Sequence, residues 1–237
     1  MTPLHGSARR LGGATSQTAT RFLIALDCLG VEVDSGCSVP DATKCIQSLT
    51  ALVKIDFWLR NPDYLADELL NEIEAGRQSP DEVLPLAASM IGGSMPSLHR
   101  YPMVRYRYGA YERPDNALAL LKAMGCVDHR RVRETGQYSR RDYYLLQTGA
   151  EILSRMRAAA PPIAWYEKQA AAIALIPDVG VGGRARLRQY EQQEYRNTAI
   201  GDLIPAITTR VQNRTLDLAG KHGLDIREFG LKQEISK

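Results

Sequence analysis

Five arginines fall within twelve residues of this chain: Arg130, Arg131 and Arg133 in "CVDHRRVRE", then Arg140 and Arg141 in "YSRRDYYLLQ". A guanidinium is a planar fork of N–H donors that matches phosphate or carboxylate oxygens in pairs. Together they would bind a polyanion or an acidic protein surface. Residues His99 to Arg141 hold ten Arg and Lys against four Asp and Glu, a local net of +6, in a chain whose whole net charge is +3. The basic character is therefore concentrated in one region, and Lys122 joins the five arginines as a candidate DNA contact.

Residues for bond-making chemistry are not arranged to do it. There is no GxxxxGK[ST] loop, and "GVGGR" (Gly180 to Arg184) lacks both the Lys-Ser/Thr and the preceding strand of a phosphate cradle, so it reads as a flexible loop. No serine has the setting of a hydrolase elbow, and the four histidines are scattered. Cys28, Cys37, Cys45 and Cys126 contain no CxxC pair, and their spacing supports neither bridges nor a metal site with His99 or His129. Free thiols in a reducing cytoplasm are expected. Asp56 in "KIDF" is placed to pair with Lys54 or Arg60 on a helix surface rather than to act as an acid or base. The expectation is a non-catalytic chain with no cofactor and no metal. The longest apolar run, Ala170 to Ile176, is far short of the ~20 residues a membrane helix needs. "RFLIALDCLG" is interrupted by Asp27 and is no signal peptide. A cytoplasmic protein with no membrane partner is expected.

Hydrophobic periodicity assigns these residues to elements. Residues 1–16, "MTPLHGSARRLGGATS", have no apolar period and suggest a flexible N-terminal arm. Phe22, Leu23, Leu26 and Leu29 form a helical stripe, and "GVEVDSGCSVP" is a loop. Asp41 is the expected N-cap of a long helix with Cys45, Ile46, Leu49, Leu52, Val53 and Phe57 on its inner side. Pro62 ends or offsets it, "DYLADELLNEIEAG" is a further helix, "RQSPDEVLP" reads as a loop, and "SMIGGSMPS" as a loop or a weak link between domains. Asp115 to Met124 is a helix that Gly125 terminates. Two strands flank the turn "TGQ", and Thr148 caps the helix "GAEILSRMRAA". Pro161 and Pro162 open "IAWYEKQAAAIALI", which Pro177 closes. Ile200, Leu203, Ile204, Ile207 and Val211 form a last helical stripe, kinked at Pro205.

Helix, hairpin, helix is the order at the end of a winged helix, with the hairpin as wing and Asp115 to Met124 in the recognition-helix position. The expected fold class is mainly α, with helical N- and C-terminal parts around a central winged helix. Its divisions are 1–16 (arm), 17–96 (helical), 97–160 (winged helix) and 161–237 (helical). The candidate recognition helix offers few base readers, chiefly Asn116 and Lys122, so non-specific backbone contact by the wing fits better than sequence reading.

Three blocks taken together, "LTALVKIDFWLRNPDYL" (Leu49 to Leu65), "MVRYRYGAY" (Met103 to Tyr111) and "ALALLKAMGCV" leading to "YYLLQTGAEIL", resemble the middle component of ABC-three-component systems, the group that includes Lamassu anti-phage defence. The likeness covers roughly Thr18 to Ala158 and rests on the order and spacing of the blocks. Ala110-Tyr111 stands where Pro-Trp is usual, and the chain between Ala66 and Pro102 carries extra loop residues. The resemblance implies an accessory subunit that binds an SMC/Rad50-like ATPase and helps couple DNA sensing to an effector nuclease, with double-stranded DNA as a further partner.

Candidate partner-binding residues are Trp58, Arg105, Arg107 and Tyr111. Phe57 and Trp58 point about 100° apart on a helix, which puts Phe57 in the core and leaves Trp58 for an interface. In "RYRY" the tyrosines either pack inward with the arginines outward or anchor a partner. Two other readings stay open: a homodimeric winged-helix transcription regulator, and a structural adaptor whose arginine-rich hairpin touches only protein.

Overall fold

The structure, a computed structural model, describes residues 5–34, 36–92, 103–106, 109–110, 114–133, 139–180, 187–188, 191–229 and 231. The chain is mainly helical, with nine α-helices and a small four-stranded antiparallel sheet among these residues. Helix α1 (His5–Leu29) is the hub. It packs against α2 (Leu49–Arg60), α5 (Asp115–Ala123), α6 (Gln147–Ala159) and α7 (Pro162–Ile173), and every residue from Arg21 to Leu26 is buried. Its backbone also takes in residues expected to form the flexible arm. Once the buried turns exist, each added residue gains a hydrogen bond without a new nucleation cost.

The sheet has the order β1 (Val31–Glu32), β2 (Ala42–Gln47), β6 (Ser139–Leu146), β5 (Val127–Arg133). Strand β2 corrects the expected long helix from Asp41. Asp41 has φ 58° and is no helix cap, while Cys45 and Ile46 pair with Tyr144 and Tyr143 of β6. Ser48 is the true N-cap of α2, its hydroxyl accepting the Ala51 N–H at 3.2 Å. Helix α2 is buried all round from Ala51 to Arg60, the mark of a central helix. Asn61 closes it by donating from its side chain to the Phe57 carbonyl at 2.7 Å. Pro62 opens α3 (Pro62–Glu74) at its first turn, where the missing N–H costs nothing.

"RQSPDEVLP" is a loop only as far as Ser79. Helix α4 (Pro80–Gly92) follows and keeps Pro85 inside it, because Val83, Leu84, Ala87, Ala88, Met90 and Ile91 bury at helical spacing against α3. The short strands β3 (Arg105–Tyr106) and β4 (Gly109–Ala110) pair with each other, and Val104 bridges Leu203. That pairing overturns the expected helix from Ile200. The Ile204 N–H bonds the Met103 carbonyl at 2.8 Å, and Pro205 has no N–H with which to continue a helix. After the short α8 (Gln193–Asn197), helix α9 begins only at Thr208 and ends at His222 before Gly223, at φ 68°.

Two smaller corrections concern helix ends. Thr148 lies in the first turn of α6, whose N-cap is Leu146, and α7 stops at Ile173, ahead of Pro177. One buried cluster runs from Ala19 to Leu231, so the three expected segments share a core. Gly149 sets how closely α6 enters it, since a Cβ there would stand 2.5 Å from the Cys126 carbonyl oxygen.

Candidate nucleic-acid interface

Helix α5 and the β5–β6 hairpin form where the sequence places them. Gly125, at φ 65°, turns the chain out of α5 into β5. The "TGQ" turn itself lies outside the described residues. Cross-strand partners on one face are Val127 with Leu145, His129 with Tyr143 and Arg131 with Arg141, and Arg133 follows on that face. Because side chains alternate, Asp128 with Tyr144, Arg130 with Asp142 and Val132 with Arg140 occupy the other.

The alternation divides the five hairpin arginines, Arg130 and Arg140 on one face and Arg131, Arg133 and Arg141 on the other. On the second face Arg140 donates to Asp142 at 2.8 Å, and Arg130 pairs with Asp128 at 3.0 Å. Asp128 also receives the Lys122 ammonium from α5 at 2.8 Å. Burial would raise the Asp128 carboxyl, but the Lys122 hydrogen bond, the His129 N–H and the charges of Lys122 and Arg130 outweigh it and hold it below the ordinary carboxylate value. Lys122, Arg130 and Arg140 are thus held by the protein's own carboxylates.

Arg131, Arg133 and Arg141 are exposed on the first face, with no carboxylate paired to them among the described residues. Arg131 stands directly opposite Arg141, a like-charge pair that disfavours the hairpin by itself. Toward the core the same face continues through His129, partly buried against the Tyr143 ring at 5.9 Å between centroids. His129 was legible only as a lone histidine. The alternation from Val127 could have placed it on the arginine face.

The outward side of α5 is largely apolar. Ala119, Leu120, Ala123 and Met124 are exposed there, beside Asn116.

The expected partner-binding residues fare differently. Trp58 is buried, 2 % exposed, like Phe57, so the helix that carries them is covered on both sides and Trp58 is no surface anchor. Arg105 turns inward. Its guanidinium donates to the carbonyls of Arg196, at 2.7 Å, and Thr198, and lies over the Tyr195 ring at 5.4 Å. It thereby closes the C-terminal end of α8, where a cation is favoured. Arg107 and Tyr111 lie outside the described residues, as do Val181 to Arg184 of the "GVGGR" loop.

Asp56 lies in the interior and not on a helix surface. It accepts from Arg21 of α1 at 2.6 Å. Helix α3 carries a second ionic network unforeseen in the sequence. Asp67 binds Arg210 and Arg214 of α9 at 3.1 and 2.7 Å, and Glu72 binds Arg77 and Arg188, each at 2.5 Å. Glu68 accepts from Gln192 at 3.2 Å. A polar cavity of about 390 Å³ opens beside this network.

The four cysteines are unbridged, and burial pushes the Cys28 and Cys45 thiols up to about 11. Among the described residues no group of three or more His, Cys, Asp or Glu is placed to hold a metal ion. No helix among them is long and apolar enough to cross a membrane.

Fold and site together define a mainly helical protein that presents a basic hairpin from the edge of a small antiparallel sheet. No protein-family model, curated protein or solved structure matches the chain.

Proposed function

We propose that this chain is a non-catalytic accessory subunit whose hairpin holds the phosphate backbone of double-stranded DNA through Arg131, Arg133 and Arg141. The observation that carries the reading is the segregation of charge across the hairpin. Arg130 and Arg140 on one face pair with Asp128 and Asp142 of the same hairpin, while Arg131, Arg133 and Arg141 on the other are exposed, two of them directly opposed, with no carboxylate paired to them among the described residues. A polyanion would relieve that repulsion. Backbone contact gives affinity without sequence information, and the outward side of α5, with Asn116 beside alanines, Leu120 and Met124, suits non-specific binding.

In this reading α5, the β5–β6 wing and α6 complete a winged helix, supported by the strand order β2-β6-β5. The resemblance to middle components of ABC-three-component systems supplies the partners: an SMC/Rad50-like ATPase and an effector nuclease. Leu120 and Met124 of α5 offer an apolar seat for the ATPase.

The test is binding of a labelled random-sequence duplex at several salt concentrations. Replacing Arg131, Arg133 and Arg141 together by Gln is expected to abolish binding at moderate salt and to reduce the log–log salt slope by roughly three. Replacing Arg130 and Arg140 by Gln should leave most of the affinity. Equal losses in both variants would refute the face assignment, and a wild type that binds no duplex at low salt would refute DNA contact.

A further inference from the structure

We propose that His129 is a fourth phosphate contact of the hairpin face and couples DNA binding to uptake of a proton, so that affinity rises as pH falls from 8 to 6. The proposal rests on the reading that this face meets DNA, and extends it from a fixed set of charges to one that responds to pH.

Geometry places the imidazole in the site. His129 is two residues before Arg131 on β5, and its cross-strand partner Tyr143 is two residues after Arg141 on β6, so all four side chains share one face. The buried Tyr143 ring lies against the imidazole at an interplanar angle of 31° and limits its orientation. His129 thus stands next in line, on the core side of the opposed Arg131–Arg141 pair. A backbone crossing the arginines meets it next.

The groups around it set the direction of the coupling. The charges that act on it are Lys122 on α5, Arg141 on β6 and, from the opposite face of its own strand, Asp128 and Arg130, three cations against one carboxylate. Partial burial comes first, followed by the charges of Lys122 and Arg141, and together they hold His129 below the ordinary imidazole value. In the free protein the ring is therefore mainly neutral at pH 7. A phosphate on Arg131 and Arg141 brings negative charge beside it and offsets the cations, which favours the imidazolium. A group whose pKa is higher in the bound than in the free state takes up a proton on binding. Affinity then rises as pH falls through the bound-state pKa and levels off below the free-state one. Duplex phosphates do not titrate in this range, so the dependence belongs to the protein.

The experiment measures the Kd for a random-sequence duplex at constant ionic strength and pH 6, 7 and 8, with wild type, His129→Gln and His129→Lys. Wild type should tighten roughly threefold or more from pH 8 to pH 6, and by less than about tenfold per pH unit, the limit for uptake of a single proton. His129→Gln should stay near the wild-type pH 8 affinity throughout. His129→Lys, permanently charged, should hold at least the pH 6 affinity at every pH, which also shows that the position tolerates replacement. A wild type that binds without pH dependence, or a Gln variant that keeps the wild-type dependence, overturns the role of His129 and leaves DNA contact standing. A wild type that binds at no pH overturns both.

Discussion

Arginine does several distinct jobs in this molecule, and what separates them is where the nearest carboxylate lies. Arg21 and Asp56 meet at 2.6 Å with side chains 4 % and 5 % exposed, between α1 and α2. Two charges in the interior are tolerated only as a pair, and removing one strands the other. Asp56→Ala is therefore expected to destabilise the fold by about 3–5 kcal/mol in urea unfolding. The double replacement Arg21→Met with Asp56→Leu should recover most of that loss, because two apolar side chains of similar volume need no partner. A double variant as unstable as the single one would mean that the pair is required for more than mutual neutralisation. The hairpin arginines differ from Arg21 in lacking burial, and among themselves in lacking or having Asp128 and Asp142. That division is set within each strand: Arg130 pairs with Asp128 and Arg140 with Asp142, two residues away on the same face, whereas Arg131, Arg133 and Arg141 have no acidic residue two positions off. What "HRRVRE" and "YSRRDYY" do not show is that Arg131 stands opposite Arg141, which depends on cross-strand register.

At the scale of elements, legibility followed the range of the interactions that decide each one. The α5–Gly125–β5–β6–α6 run is specified locally, by a helical stripe, a left-handed glycine and two alternating strands, and it forms with nearly the expected bounds. The residues of β2 read as helix because Cys45, Ile46 and Leu49 fit helical spacing as well. Pairing with Tyr143 and Tyr144, about a hundred residues away, decides for strand. Residues 200–207 carry a helical pattern and form none for the same reason, their partner being residues 103–105. Gly149 shows how a local pattern can hide a long-range cause. In "YYLLQTGAEIL" it reads as an ordinary residue at the start of a helix, yet its lack of a side chain lets α6 approach the Cys126 carbonyl. Gly149→Ala should cost about 1–3 kcal/mol by overpacking, despite alanine's better helix propensity. An unchanged or raised melting temperature would contradict the close approach. For α5, Leu120→Gln with Met124→Gln, which adds no charge beside the wing, should leave DNA affinity little changed. It should abolish co-purification with the ATPase partner at high salt if that face is its seat.

The whole molecule is closed by charge as well as by apolar burial. The C-terminal part, from Arg188 through α9, lies on α3 with Val211, Leu218 and Ala219 buried, but its arginines and Gln192 also reach the acidic side of α3. Asp67, Glu68 and Glu72 are buried as a result, and they are not equivalent. Glu72 has two guanidiniums against it, which outweigh its burial and keep its carboxyl low. For Glu68 burial dominates over the Gln192 hydrogen bond and the Arg188 charge, and its pKa rises from 4.5 to about 7. A raised carboxyl binds its proton more tightly in the folded than in the unfolded chain. Its contribution is therefore fully present below pH 4.5 and is lost as pH climbs through about 7. The wild type should lose stability between pH 5 and pH 8. Glu68→Gln, which keeps an acceptor for Gln192 without a titrating proton, should lose less and exceed the wild type at pH 8 by about 1–3 kcal/mol. Urea unfolding at pH 5, 6, 7 and 8 measures both curves. If the variant were instead the weaker protein at pH 8 and its equal at pH 5, Glu68 would be an ionised partner of Arg188, held as Glu72 is. The C-terminal part would then be fastened to α3 by a run of full ion pairs, without a neutral carboxylic acid at its centre.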